Sequence, residues 1–258
     1  MLTLDYILHI RLYQNKRGYR FSADAVLLSA FVHIPRLKKI ADFGAGSGII
    51  GLLLAKKYPT TEITLIELQE SLVKLAEKNA ALNGLDGRVK VVHTDIRELK
   101  PGGVGGELFG NEHVNSFDLV VSNPPFRKTN TGFISPSDER ALARHEINLP
   151  ISAIMKPAFS LLKHHGRLCI IHLPERLAEV MEVMRRHCLE PKRLRFVHTN
   201  EASEAKMVLI EAVKEGRMGL KVERPLFMYN GEGVYTDEVR SIYERDAPPA
   251  GDLPDRPF

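Results

Sequence analysis

Asn123-Pro124-Pro125-Phe126 follow directly on the apolar run Phe117-Asp118-Leu119-Val120-Val121-Ser122. Proline fixes φ and carries no N–H, so a turn built on two prolines offers carbonyl acceptors rather than donors. With the Asn123 carboxamide and the Phe126 ring, the turn holds a few aimed acceptors beside a stacking surface. That combination suits a planar –NH2 group, as on a nucleobase or an amide. The same residues also make a strand-ending turn with a core phenylalanine, so the chemistry depends on what else reaches that place.

A second set of residues is Asp42-Phe43-Gly44-Ala45-Gly46-Ser47-Gly48-Ile49-Ile50-Gly51. Glycines there allow a sharp turn and let a ligand approach the N-terminus of the next helix. Two templates fit. Gly46-x-Gly48-x-x-Gly51 matches a dinucleotide fingerprint, with Glu67 near the distance of a ribose carboxylate. Asp42-x-Gly44-x-Gly46-x-Gly48 matches a loop with an acid at the strand end. A carboxylate just before the loop repels a pyrophosphate and suits a cationic ligand, such as S-adenosylmethionine with its ammonium and sulfonium. Glu67, followed by Leu68, is then the ribose acceptor. Asp95 is placed to accept the adenine amino group, and Ile96 to donate its backbone N–H to the ring. Glu67 also reads as an exposed strand-end acid and Asp95 as a cap of the following turn.

These residues need strands ending at one edge of a sheet. Lys39–Phe43, Glu62–Ile66, Arg88–Val92, Phe117–Val121 and Gly166–His172 read as strands. Between them lie helical patterns at Ile49–Lys57, Glu70–Asn83 and Ile151–Leu162, with another from Pro174 to about His187. Asn83-Gly84 is a helix-ending signal. The alternation predicts βαβ units and a largely parallel sheet with helices on both faces. Arg193–His198 and Lys206–Val213 have no helix-length segment between them and read as an antiparallel pair. Three segments are expected: 1–35, a basic arm and a helix rather than a sheet strand; 36–245, the catalytic domain; and 246–258, a disordered tail. Lys100–Asn115 is Gly-rich and reads as a mobile insertion.

The 258 residues carry a formal net charge of +4 with 44% hydrophobic residues, ordinary for a soluble globular chain. Cys169 and Cys188 are the two cysteines, too few for a disulfide framework. There is no signal-peptide pattern and no apolar run long enough to span a bilayer. A cytoplasmic, membrane-free protein with no obligate protein partner is expected, and no metal is called for. Basic clusters at Arg11–Arg20, Arg36–Lys39 and Lys192–Arg195 could each neutralise phosphates or form a solvated face. Arg127-Lys128 carry more weight because they adjoin the Pro-Pro turn.

Taken together, the glycine loop, Glu67, Asp95 and Asn123-Pro-Pro-Phe126 resemble the class I S-adenosylmethionine-dependent methyltransferases that act on exocyclic or amide nitrogen. Gln14-Asn-Lys-Arg-Gly-Tyr-Arg-Phe-Ser-Ala-Asp-Ala-Val-Leu-Leu28 is similar to the N-terminal signature of the tRNA(1)(Val) adenine-N6 methyltransferase family. The resemblance implies a Rossmann-like α/β fold, with a seven-stranded, mostly parallel sheet whose last strand is antiparallel. It also implies S-adenosylmethionine as cofactor, tRNA as substrate, and an N-terminal segment over the cofactor that makes Arg20, Phe21, Ser22 and Asp24 candidate contacts. Ala143-Arg-His-Glu146 looks like a family segment, so Arg144 and His145 join Arg127 and Lys128 as candidate RNA contacts. Phe126 departs from the tyrosine that many adenine-N6 and glutamine-amide enzymes carry there, and guanine-N2 enzymes often have phenylalanine. Guanine-N2 transfer to rRNA and glutamine-N5 transfer to a protein are therefore the enzymatic alternatives, and an RNA-binding module the non-enzymatic one.

Overall fold

Leu2-Thr-Leu-Asp-Tyr-Ile7 and Ile10-Arg-Leu-Tyr-Gln-Asn15 alternate in polarity around a two-residue link, the period of a ribbon with one covered face. The computed structural model describes residues 2–15, 23–99, 114–124 and 150–244. In it these runs are β1 (Leu2–Ile7) and β2 (Ile10–Asn15), an antiparallel hairpin turning at Leu8 with φ 51°. The expectation of an arm without strands is thus corrected. In the sequence, the neighbouring basic residues obscure the pattern of Ile7, Ile10 and Leu12, which are buried on the hairpin's inner face.

α1 (Ala23–Phe31) leads into β3 (Lys39–Phe43), α2 (Ile49–Lys57), β4 (Glu62–Glu67), α3 (Glu70–Leu82) and β5 (Val89–His93). α3 closes as expected: Gly84 adopts φ 63°, and Leu85 N–H reaches back to Ala80 O at 2.9 Å. Beyond residue 113 come β6 (Phe117–Ser122), α4 (Ser152–Leu161), β7 (Leu162–His172), α5 (Leu177–Arg186), β8 (Leu189–His198) and β9 (Ala205–Lys214). Two short strands, β10 (Lys221–Val222) and β11 (Leu226–Phe227), precede α6 (Asp237–Glu244). β7 starts four residues before the expected Gly166, and Pro174 opens a 3-10 turn ahead of α5.

The main sheet runs β10-β8-β9-β7-β6-β3-β4-β5, with β11 also paired to β8. β9 is antiparallel to both neighbours, and the other pairings are parallel. The seven expected strands are present; β10 and β11 raise the total to nine. They are two residues each, too short to leave a periodic signal. Alternate strand residues feed two cores. Ile40, Leu119, Val121 and Cys169 face α1 and α2, while Ala41, Val120, Leu168 and Ile170 face α4 and α5. Strand order reverses between β3 and β6, which opens a crevice at their C-terminal ends.

Candidate active site

Phe43 and Ser122 are register partners, and Ser122 Oγ donates to Phe43 O at 3.0 Å. Asn123 and Gly44 therefore leave adjacent strands side by side. Asn123 is half-buried at the edge and Pro124 is buried. Pro125 and Phe126 lie outside the described residues, as do Arg20, Phe21, Ser22, Arg127, Lys128, Arg144 and His145. Most of the 100–115 insertion and the 246–258 tail also fall there.

The loop after β3 is held by its own backbone. The N–H groups of Gly44 and Ala45 donate to Ile66 O at 2.9 and 3.1 Å, and Gly48 N–H to Ala45 O at 2.8 Å. Gly44 and Gly46 have φ of 69° and 58°, and a Cβ at either would meet nothing within 4 Å. Bare backbone in the left-handed region, open on the outer side, is what a close-lying ligand requires. Gly51 is needed for the opposite reason. A Cβ there would sit 2.2 Å from Leu65 Cδ2, so α2 can press against β4 only because residue 51 has no side chain.

Glu67 ends β4 with its side chain buried. Its Oε2 accepts from Gly46 N–H at 2.8 Å and its Oε1 from Gln69 N–H at 2.8 Å. Burial raises its pKa, and these amide donors oppose the rise. Each oxygen keeps a further lone pair for a hydroxyl. Leu68 beside it is half-buried, and its carbonyl contacts His93 Nε2 at 2.8 Å, tying the ends of β4 and β5.

Asp42 is placed differently from expectation. It is fully buried beneath the loop, where Oδ2 accepts from Gly51 N–H at 3.0 Å and Oδ1 has no hydrogen-bond partner among the described residues. Burial, with Glu67 nearby, pushes its pKa up to about 7. Asp42 supports the first turn of α2 from below. Asp95 caps the 3-10 turn Ile96–Glu98 by accepting from Arg97 N–H at 2.8 Å. The Arg97 guanidinium also grips its carboxylate and holds the pKa low. Ile96 is buried at the head of that turn. Asp24 stands in the first turn of α1.

Two positioning groups escape a sequence reading. Asn79 is fully buried on α3. Its Oδ1 accepts from Tyr13 N–H at 2.8 Å, and its Nδ2 donates to Tyr13 O at 3.1 Å and Ser47 O at 2.9 Å. One carboxamide thus fastens the hairpin to the cofactor loop; the only clue was an amide among Val73, Ala76 and Ala80. The second is the cluster Lys192-Arg193-Arg195, whose sequence fits either a phosphate patch or a solvated face. Arg193 instead pairs with buried Glu211 at 2.9 Å, donates to Phe31 O at 2.6 Å and lies over the Phe31 ring. Lys57 Nζ donates to Ser29 O at 3.0 Å and Val32 O at 2.5 Å. Two cations thus seat the C-terminal end of α1. Arg195 pairs with Glu238, and Lys192 donates to Arg217 O.

With this geometry in place, comparison with known proteins is informative. The family profile "Methyltransferase small domain" matches residues 22–189, more than half the chain. A tRNA1(Val) (adenine(37)-N6)-methyltransferase of Porphyromonas gingivalis is 33% identical over 204 residues, 77% of this chain and 76% of that protein. A protein of the same name from Vibrio parahaemolyticus is 28% identical, covering 89% of this chain and 90% of its own. Among solved structures, a "predicted O-methyltransferase" from Agrobacterium tumefaciens superposes with a TM-score of 0.69 at 22% identity, over 89% of this chain and 100% of that one. That superposition independently supports the Rossmann-like fold. The chain belongs to the methyltransferase small domain family, and with relatives of this similarity to the tRNA1(Val) (adenine(37)-N6)-methyltransferases.

Proposed function

We propose that this protein methylates the exocyclic N6 amine of an adenine in the anticodon loop of a tRNA, in the cytoplasm. S-adenosylmethionine is the methyl donor and supplies an electrophilic methyl on a sulfonium. The site fits it: open glycine backbone at Gly44 and Gly46, and a buried Glu67 with acceptor capacity toward a ribose. Gly44–Gly48, Glu67, Leu68 and Ile96 would hold it, with Asp42 and Asp95 shaping the loop and the turn around it.

The adenine amine is a weak nucleophile because its lone pair is delocalised into the ring. The Asn123 carboxamide oxygen and the Pro124 carbonyl each accept one of its N–H bonds. This draws the nitrogen toward tetrahedral geometry and turns its lone pair toward the loop across from Gly44. Phe126 supplies a stacking face worth about 1–3 kcal/mol. Holding both reactants in line can lower a barrier by roughly 7–11 kcal/mol. No base is needed beforehand, since the amine becomes acidic only as the new bond forms. The target base leaves its stack to enter the crevice, which costs little in a single-stranded loop. Arg127, Lys128, Arg144 and His145 are the candidate phosphate contacts.

The observation that carries this function is Asn123 emerging beside Gly44 through the Ser122–Phe43 pairing. We expect Asn123→Ala to lower transfer by about 10²- to 10³-fold, the range for losing one aimed polar group. Calorimetry should find S-adenosylmethionine affinity near wild type. Loss of cofactor affinity with transfer largely intact would refute the role given to Asn123.

A further inference from the structure

A groove of about 360 Å³, set apart from the methyl-transfer crevice, lies between the turn after β5 and the outer side of α4. Arg97 and His187 line it, with Ser152, Lys156 and Ser160 of α4 and the buried side chains of Leu99 and Pro157. Among the described residues, no Asp or Glu lines it. Asp95 occupies the Nε and Nη2 edge of the Arg97 guanidinium, leaving Nη1 without a partner among the described residues. Lys156 is exposed, and its ammonium has no partner among the described residues. Ser152 is also exposed, in the first turn of α4, where helix amides and dipole favour an anion.

We propose that this groove is a phosphodiester-binding subsite for the RNA substrate, with Lys156 as its principal contact. Such a subsite presupposes an RNA substrate, as proposed above. Two unmatched cationic donor groups, a hydroxyl and a helix start fit a phosphate, and the apolar side chains fit a ribose. The groove is also connected to the chemistry. The Arg97–Asp95 pair links it to the end of β5, and α4 is the first described helix after Asn123-Pro124. β5 and β6 are separated by β3 and β4, so the strand end beside the groove is offset from that of β6 by three strand spacings, about 14 Å across the sheet. That separation places the bound phosphate on a neighbouring nucleotide, not on the target itself. Contacts of this kind fix register and carry no base preference.

The test is tRNA binding by wild type, Lys156→Ala and Lys156→Glu across a salt series. Lys90→Ala, an exposed site at the opposite end of β5, controls for net charge. Lys156→Ala is expected to weaken tRNA binding about three- to tenfold and to reduce the salt slope by about one. Lys156→Glu should weaken it further. Affinity for S-adenosylmethionine and kcat at saturating tRNA should stay within twofold of wild type. Unchanged affinity and slope in Lys156→Ala would overturn the subsite, as would an equal loss in Lys90→Ala. So would intact tRNA binding with loss of inorganic phosphate binding, read by ³¹P line width, because the groove would then hold a free anion. Failure of wild type itself to bind tRNA would overturn the RNA substrate and the subsite with it.

Discussion

Asn123 and Asp42 sit at the ends of neighbouring strands, yet one is half-buried at the edge and the other is sealed under a loop. Type and spacing told where each lies along the chain but not which way it points. Asp42 was read as a ligand-facing charge because an acid before a glycine loop is selective against pyrophosphate. In the fold its partner is Gly51 N–H, and its second oxygen has none among the described residues. A carboxyl buried in this way keeps its proton when folded over a pH range where the unfolded chain has lost it. The folded pKa is raised from 3.8 to about 7, so this group's contribution is absent below about pH 4. It becomes increasingly destabilising between there and pH 7, and is constant above. The limit is on the order of 4 kcal/mol, from about three pKa units. Asp42→Asn keeps the acceptor for Gly51 and removes the titration. Its melting temperature should therefore exceed that of wild type by several degrees at pH 8 and match it near pH 4. A gap that does not change with pH would contradict the buried, proton-holding Asp42.

At the scale of elements, the strands were legible because their apolar runs are short, β-branched and bounded by turn residues. The C-terminal stop of α3 at Asn83-Gly84 was equally plain. The hairpin was not, because its signal of three inward-facing aliphatics is shared with basic residues that suggest a solvated arm. The anchoring of α1 by Lys57 and Arg193 was hidden too, since a cation in a basic cluster looks the same whether it faces solvent or a helix end. Two substitutions test these junctions. Asn79→Ala leaves Tyr13 N–H, Tyr13 O and Ser47 O without their partner, and should cost on the order of 3 kcal/mol. Urea unfolding with an unchanged m-value reads that cost, and weakened cofactor binding should accompany it because Ser47 belongs to the loop. A stable Asn79→Ala with normal cofactor affinity would show that the hairpin and the loop are not coupled. Gly51→Ala forces a methyl against Leu65 and Ile63, and overpacking of this kind costs about 1–3 kcal/mol. A neutral Gly51→Ala would mean that α2 can lift from β4 freely.

For the whole molecule, sheet order decides where chemistry happens. β3, β4, β5 and β6 end at one edge, and that edge carries the glycine loop, Glu67, Asp95 and Asn123. The parallel sheet with one antiparallel strand was predictable from the spacing of runs; the two-residue strands beside β8 were not. The acceptor pair proposed at Asn123 and Pro124 suits an –NH2 group, and family membership directs that specificity to adenine in tRNA. The most direct test is transfer from methyl-labelled S-adenosylmethionine to in vitro transcribed tRNA, followed by nuclease digestion and nucleoside mass spectrometry. The account predicts that the label appears in N6-methyladenosine and disappears with Asn123→Ala. Label in N2-methylguanosine, or in protein with none in RNA, would contradict it.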